Sequence, residues 1–98
     1  MNSGFKNKKG TSDRDCKCGS WKNHWNNYSG TLWPNKCCVY GCENKATLGA
    51  HVINGEDRSE TIVPMCDGCN KVEETFYLKN GTVGVSANVA DTCGRQNR

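Results

Sequence analysis

Three aromatic residues near the amino terminus recur at the spacing of one helical face. Trp21, Trp25 and Tyr28 occupy positions i, i+4 and i+7 in the segment SWKNHWNNYSG, which aligns their side chains along an α-helix. Ser20 is a suitable N-cap residue, and Gly30 suits the left-handed position that ends many helices. The pattern predicts a short helix between Ser20 and Gly30 whose aromatic face packs into the core.

Two β-prone runs follow in the middle of the chain. Residues 46–53 and 61–65 are rich in Val, Ile, Thr and Leu, and the polar loop NGEDRSE joins them. Runs of this kind, bounded by turn-forming residues, are typical of strands. They predict a β-hairpin, and the length of the loop favours a splayed connection over a tight one.

The chain after the Cys-x-x-Cys pair predicts a helix and then a second hairpin. In KVEETFYL, residues 71–78, Val72 and Phe76 lie on one helical face, and two glutamates bring negative charge to the first turns, where it suits the helix dipole. Asn80-Gly81 lies between two short β-prone runs, which is the strongest local signal for a type I′ turn. The predicted fold class is a small α+β domain with an added N-terminal helix and a C-terminal β-hairpin.

Composition limits how such a domain can be stabilised. The 98 residues have room for a single domain, predicted to span residues 16–98 after a disordered basic tail, residues 1–15, that is rich in Gly, Asn and Ser. The hydrophobic fraction of 35% includes eight cysteines, so an apolar core alone would be marginal. The net charge of +3 permits contact with nucleic acid without requiring it.

The eight cysteines indicate either disulfide bonds or metal sites. The polar amino terminus contains no apolar segment of a secretory signal, and no apolar run reaches the roughly 18 residues of a membrane span. We therefore expect a cytoplasmic protein without a membrane partner, in which thiols bind zinc more often than they pair. A secreted, disulfide-stapled protein is the alternative.

The strongest spacing signal combines two turns. Cys66-Asp-Gly-Cys69 has the form of a zinc knuckle, and CCVYGCEN supplies a second glycine-containing turn upstream. Two such turns on either side of a hairpin provide the four thiolates of a structural zinc site. Neighbouring residues in an extended chain point to opposite sides, so only one of the two adjacent cysteines in CCVYGCEN is expected to join. The first predicted site consists of Cys37, Cys42, Cys66 and Cys69.

The remaining thiols predict a second zinc site, which would fasten the N-terminal helix and the C-terminal tail to the central unit. It consists of Cys16, Cys18, Cys38 and Cys93. His24 is a possible substitute for one of these thiolates, and exchanging Cys37 with Cys38 is nearly as compatible with the spacing. The chain is thus expected to bind two structural zinc ions, each adding on the order of 10 kcal/mol to the folding free energy.

The order of knuckle, strand ending in AHV, loop, second strand and Cys-Asn at a helix start resembles the HNH family. These are treble-clef zinc proteins with a ββα-metal nuclease core. The resemblance covers about residues 37–77. It implies that His51 matches the general base that activates the attacking water and that Asn70 matches the helix position that helps hold the catalytic cation. Cys66 and Cys69 match structural zinc ligands.

Two positions depart from the family pattern. Ala50 and Thr61 stand where the family has an acidic ligand and an orienting asparagine. Alanine cannot ligate a cation, and Asn70 alone makes a poor site for Mg²⁺ or Mn²⁺. His51 therefore has three interpretations: a histidine hydrogen-bonded within its strand, a general base, or a zinc ligand.

The sequence favours a non-catalytic, HNH-like zinc module that binds nucleic acid or a protein partner. Its binding surface is predicted to include the tail lysines, Lys45, Arg58 and Trp33. The alternative function is a metal-dependent endonuclease of HNH type with His51 as its general base.

Overall fold

The computed structural model describes residues 4–8 and 20–87, and these residues form an α+β fold. In chain order the elements are β1 (Phe5–Asn7), α1 (Trp21–Tyr28), β2 (Leu48–Asn54), β3 (Glu60–Met65), α2 (Asp67–Asn70) and β4 (Val85–Ser86). The four strands described make one antiparallel sheet in the order β1-β2-β3-β4. Within the same ranges, no helix is long and apolar enough to cross a membrane.

Helix α1 begins where its sequence predicts. The hydroxyl of Ser20 accepts a hydrogen bond from the Asn23 amide at 3.1 Å, and the helix ends before Gly30, whose φ is +75°. Trp21 and Trp25 are buried, which confirms the predicted core face for these two rings. Tyr28 is exposed, so the prediction is wrong for the third aromatic residue.

Side-chain alternation along the sheet divides the core into two layers. On one face, Ala50, Val52, Val63 and Met65 pack against cysteine side chains and Phe76. On the other face, α1 covers the sheet, and its tryptophans pack against residues of β3 and β4. These residues are Trp21, Trp25, Ile62 and Val85. We call the first face the cysteine face and the second the helix face.

A glycine in β2 allows α1 to approach the helix face closely. A Cβ atom added at Gly49 would lie 2.6 Å from the backbone carbon of Trp21 and 2.7 Å from the amide nitrogen of Lys22. Such contacts with backbone atoms cannot be relieved by rotating a side chain. Gly49 therefore permits the first turn of α1 to lie directly on β2.

The β2–β3 hairpin is confirmed, but its connection is tight rather than splayed. The strands pair from Leu48↔Met65 to Ile53↔Glu60. Beyond the last pair, the Asn54 amide donates to the Ser59 carbonyl at 2.9 Å, and Oδ1 of Asn54 accepts from two amides of the loop. These internal hydrogen bonds give the polar loop one compact conformation.

The prediction of a helix over residues 71–78 is wrong. Helix α2 ends at Asn70. The side-chain amide of Asn7 donates to the carbonyl oxygens of Cys69 and Val72, at 2.9 Å each. A longer α-helix would use these two carbonyls as acceptors. Phe76 instead exchanges two backbone hydrogen bonds with Phe5, at 2.8 and 2.9 Å, so this part of the chain is extended.

The disordered tail predicted for residues 1–15 is wrong for its central part. Phe5–Asn7 forms β1 and pairs with β2 along three residues. The residues from 9 to 19 and from 88 to 98 lie outside the described part of the chain, so the predicted domain boundary stays a prediction.

The Asn80-Gly81 turn does not join a C-terminal hairpin. The Thr82 amide donates to the Lys79 carbonyl at 3.2 Å, but only Gly81 of the two central residues has a positive φ, +84°, whereas type I′ requires both. The run before the turn pairs through Leu78 with Val39, and β4 after the turn pairs with β3. The predicted second hairpin is therefore wrong.

Candidate metal centre

The first knuckle in chain order, residues 37–44, is a small loop that is closed by backbone hydrogen bonds. The Cys37 amide donates to the Asn44 carbonyl at 2.8 Å, and the Cys42 amide donates to the Val39 carbonyl at 3.0 Å. Gly41 has a φ of +88°, a conformation that favours glycine. This tight turn brings Cys42 back towards Cys37.

The second knuckle, residues 66–69, lies at the junction between β3 and α2. Cys66 is the N-cap of α2, and its sulfur accepts a hydrogen bond from the Cys69 amide at 3.4 Å. Because the helix turns the chain immediately after Cys66, the two sulfurs of the Cys-x-x-Cys pair face the same side.

Four sulfur atoms meet where the two knuckles face each other. The Sγ atoms of Cys37, Cys42, Cys66 and Cys69 all lie within 4.8 Å of one another, and the sulfurs of Cys42 and Cys66 are 3.8 Å apart. A tetrahedral zinc ion with Zn–S bonds of about 2.3 Å requires sulfurs about 3.8 Å apart. The donor set and its spacing therefore fit a tetrahedral, thiolate-bound metal ion.

Two polar side chains lie beside the cluster, where they contact its backbone and one of its sulfurs. Nζ of Lys79 donates to the Cys42 carbonyl at 2.6 Å, and Nδ2 of Asn44 lies 3.9 Å from the Cys66 sulfur. Lysine near a thiolate site offsets part of its negative charge. Neither residue has a sequence signal that singles it out, because each depends on a contact made only in the fold.

The four thiols differ in how readily they lose a proton. Burial acts to raise the pKa of Cys66, but donation to its sulfur by the Cys69 amide and by the neighbouring thiols outweighs burial and lowers the pKa to about 7. Burial raises the pKa of Cys37 and of Cys69. Cys66 is therefore the first ligand available as a thiolate, and metal binding has to displace the protons of the others.

Cys38 lies apart from the cluster, as the alternation argument requires. Its backbone is held between the Pro64 carbonyl, which accepts from it at 3.0 Å, and the Lys79 amide, which donates to it at 2.8 Å. Burial, followed by the neighbouring charge of Cys37, raises the pKa of Cys38 to about 12. The structure thus groups Cys37, and not Cys38, with the other three sulfurs.

The predicted second zinc site lies mostly outside the described residues. Its predicted ligands Cys16, Cys18 and Cys93 lie outside residues 4–8 and 20–87, so the site stays a prediction. His24, considered as a substitute ligand, is buried in α1, and its Nε2 donates to the Ser86 carbonyl at 2.9 Å. That nitrogen already has a partner, which argues against His24 as a ligand through Nε2.

His51 is on the helix face, opposite the cysteine cluster. Its neighbours in β2, Ala50 and Val52, point to the cysteine face, and its own ring packs edge-on against Trp21 at 5.3 Å between centroids. The side chain is 3% exposed, and Nε2 donates to Glu60 at 2.8 Å. The interpretation as a zinc ligand is therefore wrong for this cluster, and the hydrogen-bonded histidine fits the geometry.

The two catalytic positions implied by the HNH resemblance do not form a cation site. Asn70 ends α2, beside the cysteine cluster, whereas His51 lies beneath α1 on the other face of the sheet. Among the described residues, the four-cysteine cluster alone brings three or more Cys, His, Asp or Glu side chains together. The described geometry therefore gives no support to the nuclease alternative.

Comparison with known proteins leaves the family open. The chain matches no family model, no curated protein and no solved structure. The HNH resemblance therefore rests on the residue pattern alone, and the four-cysteine cluster is the feature on which a function can be argued.

Proposed function

We propose that this chain is a zinc-binding domain in which Cys37, Cys42, Cys66 and Cys69 hold one Zn²⁺ as four thiolates. The observation that carries the proposal is the convergence of these four sulfurs within 4.8 Å. Soft thiolate ligands in a tetrahedral arrangement select zinc or iron–sulfur chemistry. Four protein ligands leave no open coordination position, which is the arrangement of a structural site.

The metal would fasten two segments to the cysteine face of the sheet. One segment carries the first knuckle, and the other runs from β3 into α2. All four cysteines are part of the core or packed against it together with Met65 and Phe76. Because the four thiols lie within this layer, metal binding would add directly to its stability.

Zinc content of the full chain tests the proposal directly. Protein purified under reducing conditions is expected to contain about two zinc ions, one in the cluster and one in the predicted second site. A chain that binds zinc at neither site under these conditions would contradict the proposal. Iron in place of zinc would keep the thiolate site and change the metal.

The proton release that accompanies zinc binding is expected to depend on pH. Below pH 7, Cys66 is protonated and zinc must displace its proton. Above pH 7, Cys66 is already a thiolate, while the raised pKa values of Cys37 and Cys69 keep their protons in place until zinc binds. Release at the cluster should therefore fall by about one proton per zinc between pH 6 and pH 8, and zinc affinity should weaken as pH falls.

Calorimetric titration in two buffers of different ionisation enthalpy measures this proton count. In the variant Cys38→Ala the neighbouring thiol is absent, so the proton count measured with this variant does not include Cys38. Proton release that does not change between pH 6 and pH 8 would show that Cys66 is not the first thiolate.

We further propose that the module binds single-stranded nucleic acid through Tyr40 and Tyr77. The Tyr40 amide donates to the Tyr77 carbonyl at 2.8 Å, beside the Val39↔Leu78 bridge, so the two residues are cross-strand neighbours on one face. Their side chains are 75% and 51% exposed. Stacking of bases on exposed aromatic rings is a common mode of single-strand binding.

The surroundings of the two rings support this choice of partner. An open groove of about 510 Å³ is lined by Tyr40, Tyr77, Leu78, Lys79 and Asn80. Lys79 lines the groove with its Nζ bonded to the Cys42 carbonyl and 3.7 Å from Glu43, and the chain as a whole has a net charge of +3. The surface predicted from sequence included Trp33, but its indole Nε1 donates to the Ala46 carbonyl at 3.0 Å and its ring packs on Trp25. The tyrosine pair replaces Trp33 in the proposed surface.

Replacing both tyrosines with alanine is expected to weaken binding of a fluorescent oligothymidylate at least 10-fold, because each stacked base contributes about 1–3 kcal/mol. Fluorescence anisotropy over a salt series measures the affinity and its electrostatic part. Tyr28→Ala removes an exposed tyrosine from α1 and is the matched control. Binding that Tyr40→Ala and Tyr77→Ala leave unchanged would contradict the proposed surface, and absence of binding at low salt would favour a protein partner.

A further inference from the structure

We propose that Asn7 is a positioning residue of the metal centre and that, through it, β1 and zinc binding are thermodynamically coupled. The inference rests on the proposed zinc site. Asn7 precedes Cys69 by 62 residues in the chain, so no local sequence pattern connects the two.

The side-chain amide of Asn7 bonds to the segment that carries a metal ligand. Nδ2 donates to the carbonyl of Cys69, a ligand of the cluster, and to the carbonyl of Val72, each at 2.9 Å. Oδ1 of the same side chain is buried and has no hydrogen-bond partner within the described ranges. The polar contribution of Asn7 is therefore made by its two donor bonds.

These two bonds fix the position at which α2 ends. The helix has four residues, too few to hold its own geometry without outside contacts. Asn7 is a second donor to the Cys69 carbonyl, which also accepts from the Val72 amide at 3.1 Å, and it binds the Val72 carbonyl in the next turn. The backbone that carries the Cys69 sulfur is thereby fixed from outside the four ligands, as outer-shell partners fix ligands in other metal sites.

Strand β1 is itself held on both sides, which makes it a rigid support for Asn7. It pairs with β2 through Phe5↔Asn54, Lys6↔Ile53 and Asn7↔Val52. On its other side, Phe5 exchanges two backbone hydrogen bonds with Phe76. Strand β1 thus lies between β2 and the segment after α2 and is hydrogen-bonded to both.

Coupling of this kind is reciprocal. If docking of β1 holds Cys69 in the position that zinc requires, then bound zinc must strengthen the docking of β1 by the same factor. The backbone amides of Phe5 and Lys8 donate to Phe76 and His51 across the two edges of β1. Their hydrogen-exchange rates therefore report on docking without a change in sequence.

The experiment compares zinc affinity in Asn7→Leu and in wild type by competition with a chromophoric chelator. Leucine has a similar size and no donor, so the Asn7 hydrogen bond is removed from both carbonyls, while the Cys69 carbonyl keeps the Val72 amide as a donor at 3.1 Å. We expect zinc affinity to fall about 10- to 100-fold. Asn27→Leu, an exposed position on α1, is the matched control and is expected to bind zinc like wild type.

The second measurement begins with wild type, so it tests the coupling even if the Asn7→Leu variant fails to fold. Adding zinc is expected to slow exchange at the amides of Phe5 and Lys8 about 10-fold or more, and in Asn7→Leu this effect of zinc should largely disappear. Equal zinc affinity in Asn7→Leu and wild type, or unchanged wild-type exchange at both amides, would overturn the coupling while leaving the zinc site intact. Absence of zinc binding in wild type would overturn the proposed function as well.

Discussion

Replacing Cys66 with serine is expected to abolish zinc binding at the four-cysteine cluster and to unfold the layer around it. Serine keeps a side-chain oxygen that caps α2, so the substitution removes the thiolate and preserves the local helix start. The Cys66 sulfur is the first thiolate of the four and lies 3.8 Å from that of Cys42. Metal binding at such sites is worth on the order of 10 kcal/mol, which is comparable with the whole stability of a small domain.

Zinc content and near-ultraviolet circular dichroism of reduced protein measure the two effects. Cys38→Ala is the control, because its thiol is adjacent to Cys37 in sequence but lies outside the cluster. That variant is expected to keep the zinc of the four-cysteine cluster, whether or not it loses zinc at the predicted second site. A Cys66→Ser protein that retains this zinc with wild-type affinity would show that the four sulfurs do not act as one site.

Replacing Trp25 with alanine is expected to lower the free energy of unfolding by about 3–5 kcal/mol. The side chain is 1% exposed and packs with Ile62 and Val85 on the helix face. Its Nε1 donates to the Val83 carbonyl at 2.8 Å, so the substitution also removes a hydrogen bond. The effect should reach β4, because the helix face is the layer that joins α1 to that strand.

Urea unfolding of the zinc-loaded protein, followed by far-ultraviolet circular dichroism, measures this loss. Tyr28→Ala is the matched control on the same helix, since its side chain is exposed, and it should change stability by less than about 1 kcal/mol. Equal effects of the two substitutions would mean that α1 does not bury its tryptophans against the sheet in solution.

The membership of the candidate site was accessible from sequence to a large extent. Cysteine spacing and the glycine before Cys42 predict two facing knuckles, and the structure brings together the four sulfurs of the predicted first site. Spacing alone does not show whether Cys37 or Cys38 is the fourth ligand of the cluster. The choice depends on Pro64 and Lys79, which hold the Cys38 backbone between them and so decide which thiol points to the cluster.

The position of His51 shows the limit of a family resemblance. Its place before the loop matches a catalytic base, but the period-two alternation of β2 turns it away from the residues on either side. The glycine two residues earlier is the sequence signal for this packing, since a glycine inside a strand marks close approach of another backbone. At Gly49 that backbone is the first turn of α1.

The residue pattern is sufficient to predict the elements whose stabilising contacts are local. The N-cap of α1, the β2–β3 hairpin and the two cysteine turns each depend on residues a few positions apart. Tertiary structure alone decided that Phe5–Asn7 is a strand, that α2 stops at Asn70 and that His51 faces Trp21. The physical reason is that these outcomes depend on hydrogen bonds and ring contacts between segments distant in sequence, such as Asn7 to Cys69. The energy of these contacts exists only once the chain has folded.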